Sequence, residues 1–94
     1  MTARNIVESY GRTIPPEGKP DYFRLHRHRF RALLEALPPA PARVLEVGAT
    51  PGQFTEILRR AGYQVAAVDL FPEQRAELWR RLGVEVRFCN IDEQ

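Results

Sequence analysis

One cysteine, Cys89, stands alone among 94 residues. It excludes an internal disulfide and fits a reducing cytosol. Long apolar runs are missing: none approaches the length of a membrane span. Nor does the N-terminus carry the uninterrupted apolar stretch of a secretory signal. A cytoplasmic protein that needs no membrane is the expectation. A strong excess of one charge sign is missing too, and a net charge of +2 is too small to argue for a polyanionic partner. No internal repeat or low-complexity tract is present. The length allows one domain with a marginal core. A composition of 44% hydrophobic and 28% charged residues argues against disorder.

The small net charge is unevenly spread. Residues 1–42 hold seven Lys or Arg against four acids, and residues 43–94 hold seven against eight. The excess lies in Arg24-Leu25-His26-Arg27-His28-Arg29-Phe30-Arg31, which reads as a solvated helix face or as a patch for phosphate or nucleic acid. Residues 1–19, with Gly11, Pro15, Pro16 and Gly18, read as an arm with one turn of helix around Ile6-Val7-Glu8. A helix is predicted over 20–37, opened by Pro20 and Asp21 and stopped by Pro38 and Pro39. Its apolar stripe is Tyr22, Phe23, His26, Phe30, Leu33, Leu34 and Leu37. His26 lies within that stripe and reads as a packing residue or as one that closes over a ligand, whereas His28 faces the arginines. Two histidines at i and i+2 point to different faces, and one distant cysteine does not complete a zinc set, so no metal is expected.

After Pro38-Pro39-Ala40-Pro41 the pattern changes. Arg43-Val44-Leu45-Glu46-Val47 is a β-branched run ending in Gly48-Ala49-Thr50-Pro51-Gly52. Phe54, Ile57, Leu58 and Ala61 follow at helical spacing and stop at Gly62. Gln64–Val68 reads as a second buried strand ending at Asp69. Phe71-Pro72 opens a second helix with Ala76, Trp79 and Leu82, closed by Gly83. Val84–Phe88 alternates as a third strand. A helix followed by β-α-β-α-β with short connections demands parallel strands, hence an α/β layer fold.

In a parallel sheet, ligands bind outside the carboxyl ends of the strands. The loop Gly48–Gly52 lies there, with glycines that let backbone approach a ligand. The helix after it offers N–H groups to a carboxylate or phosphate. Asp69 ends the neighbouring strand, 21 residues after Gly48, where an acid is placed to accept both hydroxyls of a ribose. Together these read as a nucleoside site. The structural alternative is a turn with Asp69 capping a helix. The dinucleotide pattern G-x-G-x-x-G is not met, because Thr50 and Pro51 occupy the loop.

Val44-Leu45-Glu46-Val47-Gly48-Ala49-Thr50-Pro51-Gly52-Gln53-Phe54-Thr55 resembles the first motif of class I S-adenosylmethionine-dependent methyltransferases. Val68-Asp69-Leu70 resembles their second motif, and Val86–Asp92 their third strand and its exit. The likeness covers residues 43–94. It implies a Rossmann-like parallel sheet, half of the class I methyltransferase fold, and S-adenosyl-L-methionine as cofactor. It also implies roles. Glu46 would support the methionine end, and the loop Gly48, Ala49, Thr50 and Gly52 would approach the methionine and ribose. Asp69 would hold the ribose hydroxyls while Leu70 packs against the adenine. Asn90 would meet the adenine amino group and the Ile91 N–H a ring nitrogen, with Asp92 as the alternative to Asn90. The departure is Thr50-Pro51, where the family more often has a middle glycine; Pro51 also suits the first turn of the following helix.

The acceptor site and any catalytic base of that family come largely from the fourth strand onward. The resemblance therefore implies a cofactor-binding portion, residues 20–94, of a longer fold, with no catalytic residue and no acceptor class assigned. A non-catalytic nucleoside-binding or interaction module and a nucleic-acid binder using residues 24–31 stay open as alternatives. Self-association is expected, through the edge of strand 43–47 or the apolar face of the first helix.

Overall fold

The computed structural model describes residues 2–90, and the chain divides into two compact units, Met1–Pro39 and Ala40–Gln94. Helix α1 (Ala3–Gly11) occupies the segment that the sequence suggests is an arm with a single helical turn. Thr2 explains its length: the hydroxyl accepts the Asn5 N–H at 3.1 Å and caps the first turn. Val7 and Tyr10 are buried, and Tyr10 meets Phe23 edge-on with ring centroids 5.8 Å apart. Gly11 is the last residue of α1, and a Cβ there would collide with the Phe23 ring.

Helix α2 (Pro20–Ala36) begins as expected, with Pro20 and Asp21 in its first turn. Leu37 is already extended, as a residue preceding proline must be. Phe23, Phe30 and Leu34 are buried. His26 stands between Tyr22 and Phe30, with centroids 4.2 and 6.1 Å away, so it packs within the aromatic stripe. Leu33 is a correction to the predicted stripe, being 44% exposed. At about 100° per residue it falls roughly 60° from Phe30, on the stripe's margin.

In the second unit, β1 (Arg43–Val47), α3 (Gln53–Arg60), β2 (Gln64–Asp69), α4 (Ala76–Leu82) and β3 (Val86–Phe88) follow in order. The three strands are parallel and ordered β1-β2-β3. This is the α/β architecture that the alternating pattern demands. Glu46, Ala67 and Val86 lie side by side across the sheet and share its covered face. Ala49, Ala67, Trp79 and Val84 form the core there, with Leu78, Leu82 and Val86 packed against them. The opposite face leaves Leu45 and Val47 exposed.

Both helices end in the same hydrogen-bonded turn. Gly62 and Tyr63 donate to the carbonyls of Arg59 and Leu58, and Gly83 and Val84 to those of Arg80 and Trp79. This is the paired bonding of a glycine-closed helix end, with an apolar contact beneath it. It also shortens β3, since the Val84 N–H is committed to Trp79 and its side chain to the core. The second helix differs at its start, where Pro72–Arg75 form a 3-10 turn before α4. Trp79 holds that turn in place, its Nε1–H donating to the Pro72 carbonyl at 3.0 Å.

The ladder also fixes the direction of the β1 backbone. The Gly48 N–H donates to the Val68 carbonyl, and the Ala42 carbonyl accepts from Gln64, both at 2.9 Å. Even-numbered residues of β1 therefore aim their backbone groups at β2. Arg43, Leu45 and Val47 aim theirs away from it, and no strand of the described residues pairs there.

Candidate ligand site at the carboxyl ends of the strands

Asp69 is the last residue of β2, and its two carboxylate oxygens hold two different turns. Oδ2 accepts the Thr50 N–H at 2.7 Å. Oδ1 accepts the N–H groups of Leu70 at 2.7 Å and Phe71 at 3.5 Å. Partial burial pushes this carboxyl up, but hydrogen bonding from Thr50 and from the Leu70 and Phe71 N–H groups outweighs it. The net effect holds Asp69 below its ordinary value. A carboxylate has room for about four hydrogen bonds, so Asp69 keeps acceptor capacity beyond these three donors.

Glu46 has a different environment. Its side chain lies on the covered face of β1, where Thr55, fully buried in the first turn of α3, donates its hydroxyl to Oε1. Burial pushes the Glu46 carboxyl up to about 7, the Thr55 bond opposes this, and the Asp69 charge adds to it. Glu46 and Thr55 thus tie strand to helix under the loop. Thr55 is a site residue the sequence reading leaves without a role. Its signal is its place in the first helical turn after a glycine loop, facing the strand acid.

The two loop glycines serve different purposes. Gly52 has φ +98, and a Cβ there would lie 2.5 Å from a Leu78 methyl and 3.0 Å from the Trp79 ring. Its missing side chain lets α4 pack against the start of α3. Gly48 has φ +73, and a Cβ there would meet nothing within 4 Å. The open space beside the loop is therefore at Gly48. Ala49 is buried in the core. Thr50 turns inward, its Oγ1 buried without a hydrogen bond of good geometry. Pro51 is not in the helix's first turn as the sequence suggests, because Gly52 caps the helix and Gln53 begins it.

Beyond Asp69, Leu70 and Phe71 are 44% and 52% exposed, giving an apolar surface next to a carboxylate. Phe71 has no assigned role in the sequence reading, although an aromatic two residues after the strand acid is a readable signal. Asn90 is half-buried and is the last described residue. The Ile91 and Asp92 assignments lie outside the described residues. Within one end of the sheet, then, stand an acceptor carboxylate, an uncrowded glycine and an exposed apolar pair. That set is chemically suited to a ligand with hydroxyl donors and a flat apolar ring.

A family model described as a methyltransferase domain matches residues 21–94. The chain belongs to this methyltransferase family. The methyltransferase match takes in α2 almost whole and every strand of the sheet. Comparison with curated proteins and with solved structures gave no match. In this methyltransferase domain, no helix of the described residues is long and apolar enough to cross a membrane.

Proposed function

We propose that the chain binds S-adenosyl-L-methionine at the carboxyl ends of β1 and β2, as the cofactor-holding part of a methyltransferase. The observation that carries this reading is Asp69. It is a charged carboxylate with spare acceptor capacity, bonded to the glycine loop on one side and flanked by exposed Leu70 and Phe71 on the other. Asp69 accepts the ribose hydroxyls, one at its open acceptor position and one in place of the long Phe71 bond, and Leu70 and Phe71 shield one face of the adenine. Gly48 leaves the methionine portion room to lie against backbone. Glu46 fixes the base of the loop through Thr55. When bound, the cofactor supplies an activated methyl group on a sulfonium. The protein's share is alignment, since displacement at that carbon depends on holding donor and acceptor in line.

Calorimetric titration with S-adenosylhomocysteine and, separately, NAD tests the reading. The expected result is measurable binding of the homocysteine derivative and weaker or no binding of NAD. Tighter binding of NAD would overturn it.

A further inference from the structure

The opposite end of the same sheet carries a second feature. In Ala40–Gln94, five of the seven arginines fall at the amino end of the strands: Arg43 opens β1, Arg59 and Arg60 close α3, and Arg80 and Arg81 close α4. Of the acids, Glu46, Asp69 and Glu73 fall at the other end, whereas Glu85 precedes β3 and pairs with Arg87. Helix termini attract opposite charge, and basic side chains in a last turn offset the carbonyl end of the dipole. That accounts for basic residues on each helix separately. It does not account for three of them, from both helices, lining one concavity.

Arg59, Arg60 and Arg81 line an open cleft of about 640 Å³ with Tyr63, Gln64 and Glu56. Glu56, its side chain only 16% exposed, organises the wall. It accepts Arg60 at 2.9 Å from its own helix and approaches Arg81 of the neighbouring helix at 3.6 Å. One carboxylate thus orients two guanidinium groups and cannot neutralise both. Arg59 is in no ion pair among the described residues and extends toward the turn that ends α4, where its Nη2 would stand 3.9 Å from a Cβ on Gly83. Among the described residues that line the cleft, three guanidinium groups face one carboxylate, a local excess that favours an anion. Guanidinium forks match the tetrahedral oxygens of phosphate.

We propose that this cleft is a phosphate-binding site, separate from the ligand site at the carboxyl ends of the strands. The phosphate belongs either to a small phosphorylated molecule or to a polynucleotide backbone, and the two sources behave differently in titration. The experiment follows the arginine Nε–Hε and backbone amide resonances of the whole chain at low ionic strength. One arm adds inorganic phosphate and a second adds a short oligouridylate, with sodium chloride at matched ionic strength as the control. Saturable shifts are expected at Arg59, Arg60, Arg81 and the Gly62 amide. In the double variant Arg59→Gln/Arg81→Gln, half-saturation should rise about a hundredfold, the effect of losing two charge-assisted hydrogen bonds at about tenfold each. These side chains are exposed, so an unchanged amide spectrum establishes that the variant is folded. Saturation by phosphate alone assigns a small phosphorylated ligand. Tighter, steeply salt-dependent binding of the oligouridylate at the same residues assigns a polynucleotide backbone. Shifts reproduced by chloride, or spread equally over the α2 arginines, overturn the site.

Discussion

The Glu46 carboxylate and the Thr55 hydroxyl, nine residues apart in sequence, meet in a part-buried hydrogen bond that fastens β1 to α3. Because the acid is desolvated, its proton is held more tightly in the folded chain than in the unfolded one.

This sets a pH dependence. A carboxyl at 4.5 when unfolded and about 7 when folded leaves the unfolded state with fewer protons between those values. Stability then falls as pH rises from 4.5 to 7, by up to roughly 3 kcal/mol at 1.36 kcal/mol per unit. Asp69 acts oppositely: lowered from 3.8, it adds stability that is lost only below that value. Denaturant midpoints should therefore decline across pH 5–7 in the native chain, and Glu46→Gln should flatten that decline. A flat native profile would refute the assignment.

Thr55→Val removes the donor and keeps the shape. A buried acceptor left without its partner costs about 1–3 kcal/mol, and the Glu46 carboxyl should titrate still higher. Carbon-13 observation of the carboxyl checks the second effect independently of unfolding.

Asp69→Ala should weaken binding of S-adenosylhomocysteine by about 1.5–3 kcal/mol, the loss of charge-assisted hydrogen bonds. It should also speed exchange of the Thr50 amide, whose acceptor is that carboxylate. Unchanged affinity in a folded variant would remove Asp69 from the ligand site.

Gly48→Ala and Gly52→Ala separate binding from packing. Both strain a left-handed residue by about 1–2 kcal/mol. Only Gly52→Ala drives a methyl group into Leu78 and Trp79, which adds about 1–3 kcal/mol of overpacking. Thermal melts should show the larger drop at Gly52, while ligand titration of the Gly48 variant should show weaker binding with less loss of stability.

The outer edge of β1 is expected to pair with a second copy. Leu45 and Val47 direct their backbone groups away from β2, and their side chains are 64% and 56% exposed. An unpaired edge with exposed apolar side chains is a template for strand addition, and antiparallel pairing about a two-fold axis at Leu45 would set Arg43 opposite the partner's Val47 without a like-charge clash. Sedimentation should show dimers at micromolar concentration, with the Leu45 and Val47 amides protected only in the dimer. A monomer with those amides protected would contradict this pairing.

Much of this architecture is legible in the sequence because short parallel β/α units punctuate themselves. β1 matches its β-branched run at both ends, and β2 ends on the acid that the pattern singles out. Gly62 and Gly83 mark where helices stop because the turn closing each helix forms there. Less legible is α1, whose capping Thr2 carries little weight beside the prolines and glycines that follow. The start of α4 depends on an indole reaching back to Pro72, a tertiary bond with no local signature. At the site, the loop and Asp69 are recognisable as a pair, but not that Asp69 bonds the loop itself. Nor does spacing distinguish a glycine that makes room for Trp79 from one that leaves open space.

With one Asp69 oxygen on Thr50 and the other on Leu70 and Phe71, the turn after β1 and the turn after β2 are joined into a single ring. Neither can swing away without breaking a bond to a charged acceptor. A ligand entering there would find its walls already in place and little chain to immobilise, which lowers the ordering part of the cost of binding.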